Sequence, residues 1–502
     1  MGVICLRENA LLNVIRGGDC TVLGYGVSNR PLVEWLISHG AKSVTVRDQR
    51  DTTAMEACGD AARLSGLGVN LIAGEGYLSG LAGDVIFRSP GIRPDLPEIT
   101  AALKGGSVLS SEMELFLSLT EAQVYAVSGS DGKTTTTTLT SLMLTEAVKR
   151  LGKGRVYKGG NIGTPLLPFV EEMTPDDIAV VELSSFQLMS MQSGAEITRG
   201  ALTNITPNHL NWHTSMAEYA AAKEYLVSRA GVKGIVLNAR DTACREIGER
   251  VAAPVIWFTG ERNLPGGYLP DTVHAERGDM AVYEADGVIT LVRPAESGAV
   301  QIPLMDTSRI RLPGRHNVEN FMTAVALTYG AVTPEDIGRV ADDFTGVAHR
   351  LELIAERDGI RYYNSSIDSS PTRTEAALSA MREMNERLSR RDPIVIVGGR
   401  GKGVPFDTLA DALCRMASAV VLTGETREAV MAALSACPLY DPDSLPVTVI
   451  PDYREAMVAA CQMATAGDTL LLSPAATSFD AFRNFEERGE VFRKIVADYV
   501  TK

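Results

Sequence analysis

The chain has 502 residues, 45% of them hydrophobic and 22% charged, with a formal net charge of −14. That length exceeds what one hydrophobic core supports and points to about two to four domains. The acidic balance argues against non-specific binding to nucleic acid or to anionic membranes, either of which needs a basic surface.

Residues 20–48 read as strand, turn, helix and strand. CTVLGYG is β-rich and ends in glycines, PLVEWLISHG is amphipathic with a glycine cap, and SVTVRD is a β-branched run closing on Asp48. DVIFRSPG, residues 84–91, is another apolar run stopped by turn residues. A second unit opens near residue 112, with QVYAVSGSDGK as strand and loop, TTTTTLTSLMLTEAVKR as helix, and DIAVVEL and GIVLN as further strands. Residues 250–310 carry β-like pieces, AVYEA and VITLV, between glycines and prolines. From Val347 onward IRYYN, PIVIVGG, SAVVLTG and DTLLLSP are each followed by a helical pattern. The alternation predicts three successive α/β domains with mostly parallel sheets, spanning 1–112, 113–346 and 347–502, and ligands at the strands' C-terminal ends.

The seven cysteines are scattered and never spaced C-x-x-C, which reads as reduced thiols without a cysteine-based metal site. No apolar run has the length of a membrane span, and no signal-peptide pattern opens the chain. A cytoplasmic monomer working on small molecules, with no nucleic-acid or membrane partner, is expected.

AVSGSDGKTT, residues 126–135, is a glycine-built loop between strand and helix. Backbone N–H groups there converge on one point, and the positive end of the helix adds to their pull on an anion. Gly129, Ser130, Asp131, Gly132, Lys133, Thr134 and Thr135 are therefore candidate nucleotide-phosphate contacts, with Lys133 reaching the outer phosphates and the Thr134 hydroxyl suited to Mg²⁺. Val127 stands where the common P-loop has its first glycine, so the loop is a shortened variant. Glu182 ends the strand IAVVE and is the candidate second metal group, since phosphoryl transfer rests on positioning and charge neutralisation. His209 and His213, four residues apart in NITPNHLNWH, raise a zinc reading, but H-E-x-x-H fails there and no third ligand is near in sequence. GYGVSN, residues 24–29, looks like a dinucleotide fingerprint with Asn29 in place of its third glycine, and Asp48 lies about twenty residues on, where a ribose contact belongs.

Taken together, these pieces resemble the Mur ligase family, the ATP-dependent amide-forming enzymes of peptidoglycan precursor synthesis. The matching segments run in family order: SGSDGKTT, GGNIGTP, ELSSFQL, NITPNHLNWH, AAKEYL, LPGRHNVEN, GVAHRLEL, GGRGKG and LSPAATSFDAFRNFEERG. The last segment and GGRGKG look most like the member that adds D-glutamate to UDP-N-acetylmuramoyl-L-alanine. The resemblance implies a domain for the UDP-sugar, a central ATPase and a Rossmann-like domain for the amino acid. It implies ATP and two Mg²⁺ ions, held by Thr134, Glu182, His209 and a carbamylated Lys223, and because a nitrogen ligand from His209 suits Mg²⁺ poorly, activity with Mn²⁺ is also expected. Asn317 and Asn320 would lie near the adenine, and Arg350 would close over the terminal phosphate. Val27, Ser28, Asp48, Arg50 and Asn161 become UDP-substrate contacts; Ser369, Lys402, Ser478, Phe479 and Phe485 become D-glutamate contacts. At NSSIDSSPT the chain departs from the family: Ser365 replaces an aspartate that contacts nucleotide, and Asp368 stands where a small residue is usual. Either Asp368 takes over that contact or nucleotide binding is weaker. Other readings stay open at this point: another Mur-type or folylpolyglutamate-type ligase, an ATPase without ligation, an NAD-dependent dehydrogenase, and a non-catalytic nucleotide-binding regulator.

Overall fold

Strands such as Ile394–Gly398, buried along their whole length, need cover on both faces, and helices provide it. The computed structural model describes residues 9–191, 196–210, 212–260, 275–295 and 298–501, and among these the backbone forms three sheets of five, nine and six strands. The chain divides into two compact units: Met1–Thr307 with Glu319–Val340, and Ser308–Val318 with Ala341–Lys502.

The first sheet contains β1 (Asp19–Leu23), β2 (Ser43–Asp48), β3 (Asn70–Ala73), β4 (Val85–Arg88) and β5 (Val108–Ser110), all parallel, in the order β3-β2-β1-β4-β5. Chain direction across the sheet reverses between β1 and β4, which places a crevice at their C-terminal ends. The second sheet contains β6 (Gln123–Ser128), β7 (Val156–Gly160), β8 (Ile178–Glu182), β9 (Arg199–Leu202), β10 (Ile235–Asn238), β11 (Val255–Thr259), β12 (Met280–Ala285), β13 (Val288–Ala295) and β14 (Gly298–Asp306). Its order is β14-β13-β12-β11-β10-β9-β6-β8-β7, parallel from β7 to β12 and then antiparallel through β13 and β14. Of the β-like pieces of residues 250–310, AVYEA is thus the last parallel strand and VITLV opens an antiparallel extension, although 261–274 lie outside the described residues. β6 sits between β8 and β9, so the loop after it opens at a switch point. These two sheets share one apolar core, with Val22, Phe87, Leu117, Val181 and Leu202 in a single cluster.

The second unit holds β15 (Glu352–Arg357), β16 (Ile360–Asn364), β17 (Ile394–Gly398), β18 (Ala419–Thr423), β19 (Val447–Val449) and β20 (Thr469–Leu472), in the order β15-β16-β20-β17-β18-β19. All neighbours are parallel except β15 and β16. Strand alternation sends Val395 and Val397 into one core and Ile394 and Ile396 into the other, which is why the sequence reads as a continuous apolar run.

Candidate active site

The loop after β6 is shaped by two glycines. Gly129 has φ 141°, and a Cβ there would lie 1.8 Å from the Thr203 hydroxyl; Gly132 has φ 78°, and a Cβ would lie 2.4 Å from the Asn320 side-chain oxygen. Neither position admits another residue without strain. Not every loop N–H faces outward, as the glycine-rich sequence had suggested. Ser130 N–H donates to the Asn204 carbonyl (2.8 Å) and Asp131 N–H to Asn204 Oδ1 (2.9 Å). The first intrahelical bond, from Thr136 N–H to the Gly132 carbonyl (2.9 Å), leaves Thr134 and Thr135 N–H in the opening turn of the helix Lys133–Leu151. The anion-facing donors therefore concentrate at the helix start.

Lys133 folds back on its own loop, Nζ donating to the carbonyls of Gly129 (3.0 Å) and Ser130 (2.9 Å). Lys223, on the helix Met216–Ser228, reaches the same Gly129 carbonyl with Nζ at 2.6 Å. It is 1% exposed, and burial, with Lys133 close by, pushes its ammonium down to about 7. The Tyr219 ring lies 4.6 Å from that nitrogen. Thr134 donates from Oγ1 to Glu182 Oε2 (2.8 Å), and Asn161 donates from Nδ2 to Oε1 (2.9 Å). Asn161 follows β7, whose Gly160 pairs with Glu182, so register alone brings the two together.

These donors give a mixed answer as a site for a hard dication. A hydroxyl and a buried carboxylate in contact suit Mg²⁺; Lys223 as an unmodified lysine is a hydrogen-bond donor, not a ligand. Among the described residues no group of three or more His, Cys, Asp or Glu is placed to hold a metal. His209 is exposed on a turn with φ 54°, its ring 4.9 Å from that of Phe186. Partial desolvation and the charges of Lys133 and Lys223 hold its pKa below the usual imidazole value. His213 shares no helix face with it: its Nε2 lies 2.9 Å from the Ser185 hydroxyl, so the two histidines do not form a zinc pair.

At the first sheet, Asp48 is buried. Burial pushes its carboxyl up, but hydrogen bonds from Arg50 and from Tyr25 N–H (2.7 Å) outweigh it and hold the pKa below the usual range. Arg50 is itself shared with Asp60 (2.9 Å). Val27 is 73% exposed, and Ser28 caps the helix Asn29–Ser38 without a side-chain bond. Asn29, in the position of the missing glycine, closes the turn by donating to the Gly24 carbonyl (2.8 Å) and to Ser89 Oγ (3.1 Å).

In the second unit Lys402 Nζ donates to Ser369 Oγ (3.1 Å). Ser369 follows β16, Lys402 follows β17, and Ser478 and Phe479 follow β20, which lies between those strands, so all arise along one sheet edge. Ser478 is buried with its carbonyl engaged by Phe482 N–H (2.8 Å), Phe479 is 60% exposed, and the carbonyl of half-buried Phe485 accepts from Ser366 (2.8 Å). Asp368 turns inward and accepts from the Ser473 hydroxyl (2.8 Å), while the Ser365 hydroxyl accepts from Leu351 N–H (3.1 Å). Arg350 is half-buried between His349 (φ 64°) and Leu351 (φ 41°). Asn317 and Asn320 sit on the helix Arg315–Thr328; Asn317 donates to the Pro313 carbonyl (2.6 Å), and Asn320 accepts from Thr136 Oγ1 (3.3 Å). Sequence reasoning missed Asn204, although it lies in the segment singled out for its histidines.

The Mur ligase middle domain profile matches residues 127–328, and the Mur ligase glutamate ligase domain profile matches 349–476. The chain belongs to the Mur ligase family. It is 38% identical over 489 residues to the UDP-N-acetylmuramoylalanine–D-glutamate ligase of Ruminiclostridium cellulolyticum, covering 96% of this chain and 97% of the relative. It is 39% identical over 480 residues to the ligase of the same name from Symbiobacterium thermophilum, covering 95% and 97%. The crystal structure of UDP-N-acetylmuramate–alanine ligase from Thermotoga maritima matches with TM-score 0.52 at 17% identity, over 96% of this chain and 99% of that one, a likeness of fold. Among the described residues no helix is long and apolar enough to cross a membrane.

Proposed function

We propose that this Mur ligase joins D-glutamate to UDP-N-acetylmuramoyl-L-alanine in an ATP-dependent reaction that passes through an acyl phosphate, in peptidoglycan precursor synthesis. The observation that carries the chemistry is the contact of Thr134 with Glu182 at a switch point, beside two lysines that converge on one carbonyl. The relatives' full-length identity supports the choice of substrates. A carboxylate does not react with an amine, because oxide is no leaving group. Transfer of the γ-phosphoryl breaks its bond to the bridging oxygen of ADP and forms one to a carboxylate oxygen. The amine of D-glutamate then attacks the acyl carbon and loses a proton, and the carbon–oxygen bond to phosphate breaks.

In this reading Gly129 to Thr135 receive the phosphates, Lys133 exchanges its carbonyl partners for phosphate oxygens, and Arg350 offsets charge on the terminal phosphate. Asn317 and Asn320 take the adenine. Thr134, Glu182, His209 and a carbamylated Lys223 hold two Mg²⁺ ions, and the nitrogen ligand lets Mn²⁺ substitute. Bound there, the cations spread the negative charge of the phosphoryl group. A Lys223 pKa of about 7 keeps much of that amine neutral, as carbamylation requires. Val27, Ser28, Asp48, Arg50 and Asn161 hold the UDP-substrate; Ser369, Lys402, Ser478, Phe479 and Phe485 hold D-glutamate. The roles divide over segments 1–112, 113–346 and 347–502, in a cytoplasmic monomer with access to ATP. Phosphate release is measured with ATP, UDP-N-acetylmuramoyl-L-alanine and D-glutamate, omitting each in turn. Release that needs all three supports the reading; equal release without acceptor makes the chain a plain ATPase, and preference for another amino acid makes it a different family member.

A further inference from the structure

Glu182 and His209 come from separate segments, and something must fix one against the other if both serve one centre. His209 is exposed, but its carbonyl accepts from both Trp212 N–H and His213 N–H (3.0 Å each), so it moves with residues 212 and 213. The His213 ring is 1% exposed and binds Ser185 through Nε2, three residues beyond Glu182. Its Nδ1 lies 3.4 Å from Glu218 Oε2, longer than a hydrogen bond but close enough for the carboxylate to favour the tautomer protonated at Nδ1. Nε2 is then the acceptor for the Ser185 hydroxyl.

Glu218 is held in turn by Arg93, whose Nη2 donates to Oε1 (3.0 Å) and Nη1 to Oε2 (3.3 Å). Arg93 holds the Glu218 carboxyl down at about 2. The same guanidinium donates to the Trp212 carbonyl and lies 5.0 Å over its indole, whose Nε1 donates to the Gly91 carbonyl (3.0 Å). Arg93 belongs to the segment that leaves β4, where the Ser89 hydroxyl accepts from Asn29 at the start of the helix that follows β1. One planar fork therefore grips both the backbone of the His209 turn and the carboxylate behind His213.

We propose that Arg93 is a positioning residue of the phosphoryl-transfer centre: through Glu218 and His213 it holds the turn bearing His209 in register with the strand end bearing Glu182. The inference rests on the function proposed above. Its consequence is that the sheet carrying most of the residues assigned to the UDP-substrate and the centre that activates its carboxylate are joined by one clasp.

Arg93→Ala, Arg93→Lys and the isosteric Glu218→Gln test it in the full chain. A misplacement of one ligand costs about 100-fold, so kcat should fall about 10- to 100-fold in Arg93→Ala and Glu218→Gln. The KM values for ATP and D-glutamate should change far less. Lysine keeps the charge but not the fork, so Arg93→Lys should behave like alanine, and the Arg93→Ala/Glu218→Gln double variant should be no slower than the worse single. Hydrogen exchange of the 209–215 backbone, read without substrate, should quicken about tenfold, as for one lost charge-assisted bond, with the helix Lys133–Leu151 unchanged. Unaltered exchange, wild-type kcat, or additive losses in the double variant would each overturn the proposal. Absence of ligation by the wild type would instead remove the functional reading, leaving the exchange result to decide whether Arg93 tethers the turn.

Discussion

At the phosphate loop, residues 129–134 are held by one another and by Thr203, Asn204 and Glu182. On the third sheet Ser369, Lys402, Ser478 and Phe485 arrive from loops far apart in the chain, joined among themselves by the Lys402–Ser369 bond. The first site starts from backbone geometry: glycines at positive φ and a helix start fix where an anion's partners stand. The second is side-chain chemistry on a sheet edge, in which each residue contributes one group. Loss of a single side chain should therefore cost the two sites differently, in rate at the loop and in affinity at the edge.

The largest effect belongs to Lys133→Ala. Its amine contacts loop carbonyls in this structure, so the fold should persist with a modestly lowered thermal midpoint. Removing one preorganised charge from a transferring phosphoryl group should lower phosphate release about 100- to 1,000-fold. Retained turnover would break the assignment of this loop to the nucleotide.

The same contrast governs what the sequence disclosed. SGSDGKTT is contiguous, and glycine-glycine-lysine spacing carries its own geometry, so the loop and its helix were legible at once. The buried runs CTVL, IAVVE and IVIVG announced β1, β8 and β17 because strands covered on both faces are uniformly apolar. β7, VYKGG, escaped notice: it is half-exposed and glycine-rich, yet it is what brings Asn161 to Glu182. β3, NLIA, lies at an edge and is barely buried. Asn204, Arg93 and Glu218 were illegible for another reason, since an ordinary polar residue gains meaning only when folding reveals its partner. Resemblance, not residue chemistry, pointed to Phe479 and Phe485.

Lys402→Ala probes the other side of the comparison. The lysine is exposed and holds Ser369, so the fold should tolerate its loss. A charged hydrogen bond to a carboxylate contributes about 1.5–3 kcal/mol, and the KM for D-glutamate should rise about 10- to 100-fold. The KM for ATP should stay near the wild-type value. Equal rises in both would mean that the edge is no carboxylate site and that the two regions differ less than their construction suggests.

The smallest effect concerns Asp368, which the sequence offered as a candidate nucleotide contact. Its carboxyl is buried against Ser473, and burial, opposed in part by hydrogen bonds from Ser365 and Ser473, pushes its pKa up to about 6. An acid whose pKa rises on folding holds its proton more tightly in the folded chain, so ionisation opposes folding. That penalty is absent below about pH 4, the unfolded value, grows as the pH rises towards 6, and is constant above it. Asp368→Asn keeps an acceptor for Ser473 and cannot ionise. Relative to wild type, its urea midpoint should therefore move upward between pH 4 and pH 6 and level off beyond, an effect on the order of 1–3 kcal/mol. Because the carboxylate faces the interior, the KM for ATP should be unchanged. A rise of tenfold or more in that KM, with no pH-dependent gain in stability, would mean that Asp368 turns outward to the nucleotide.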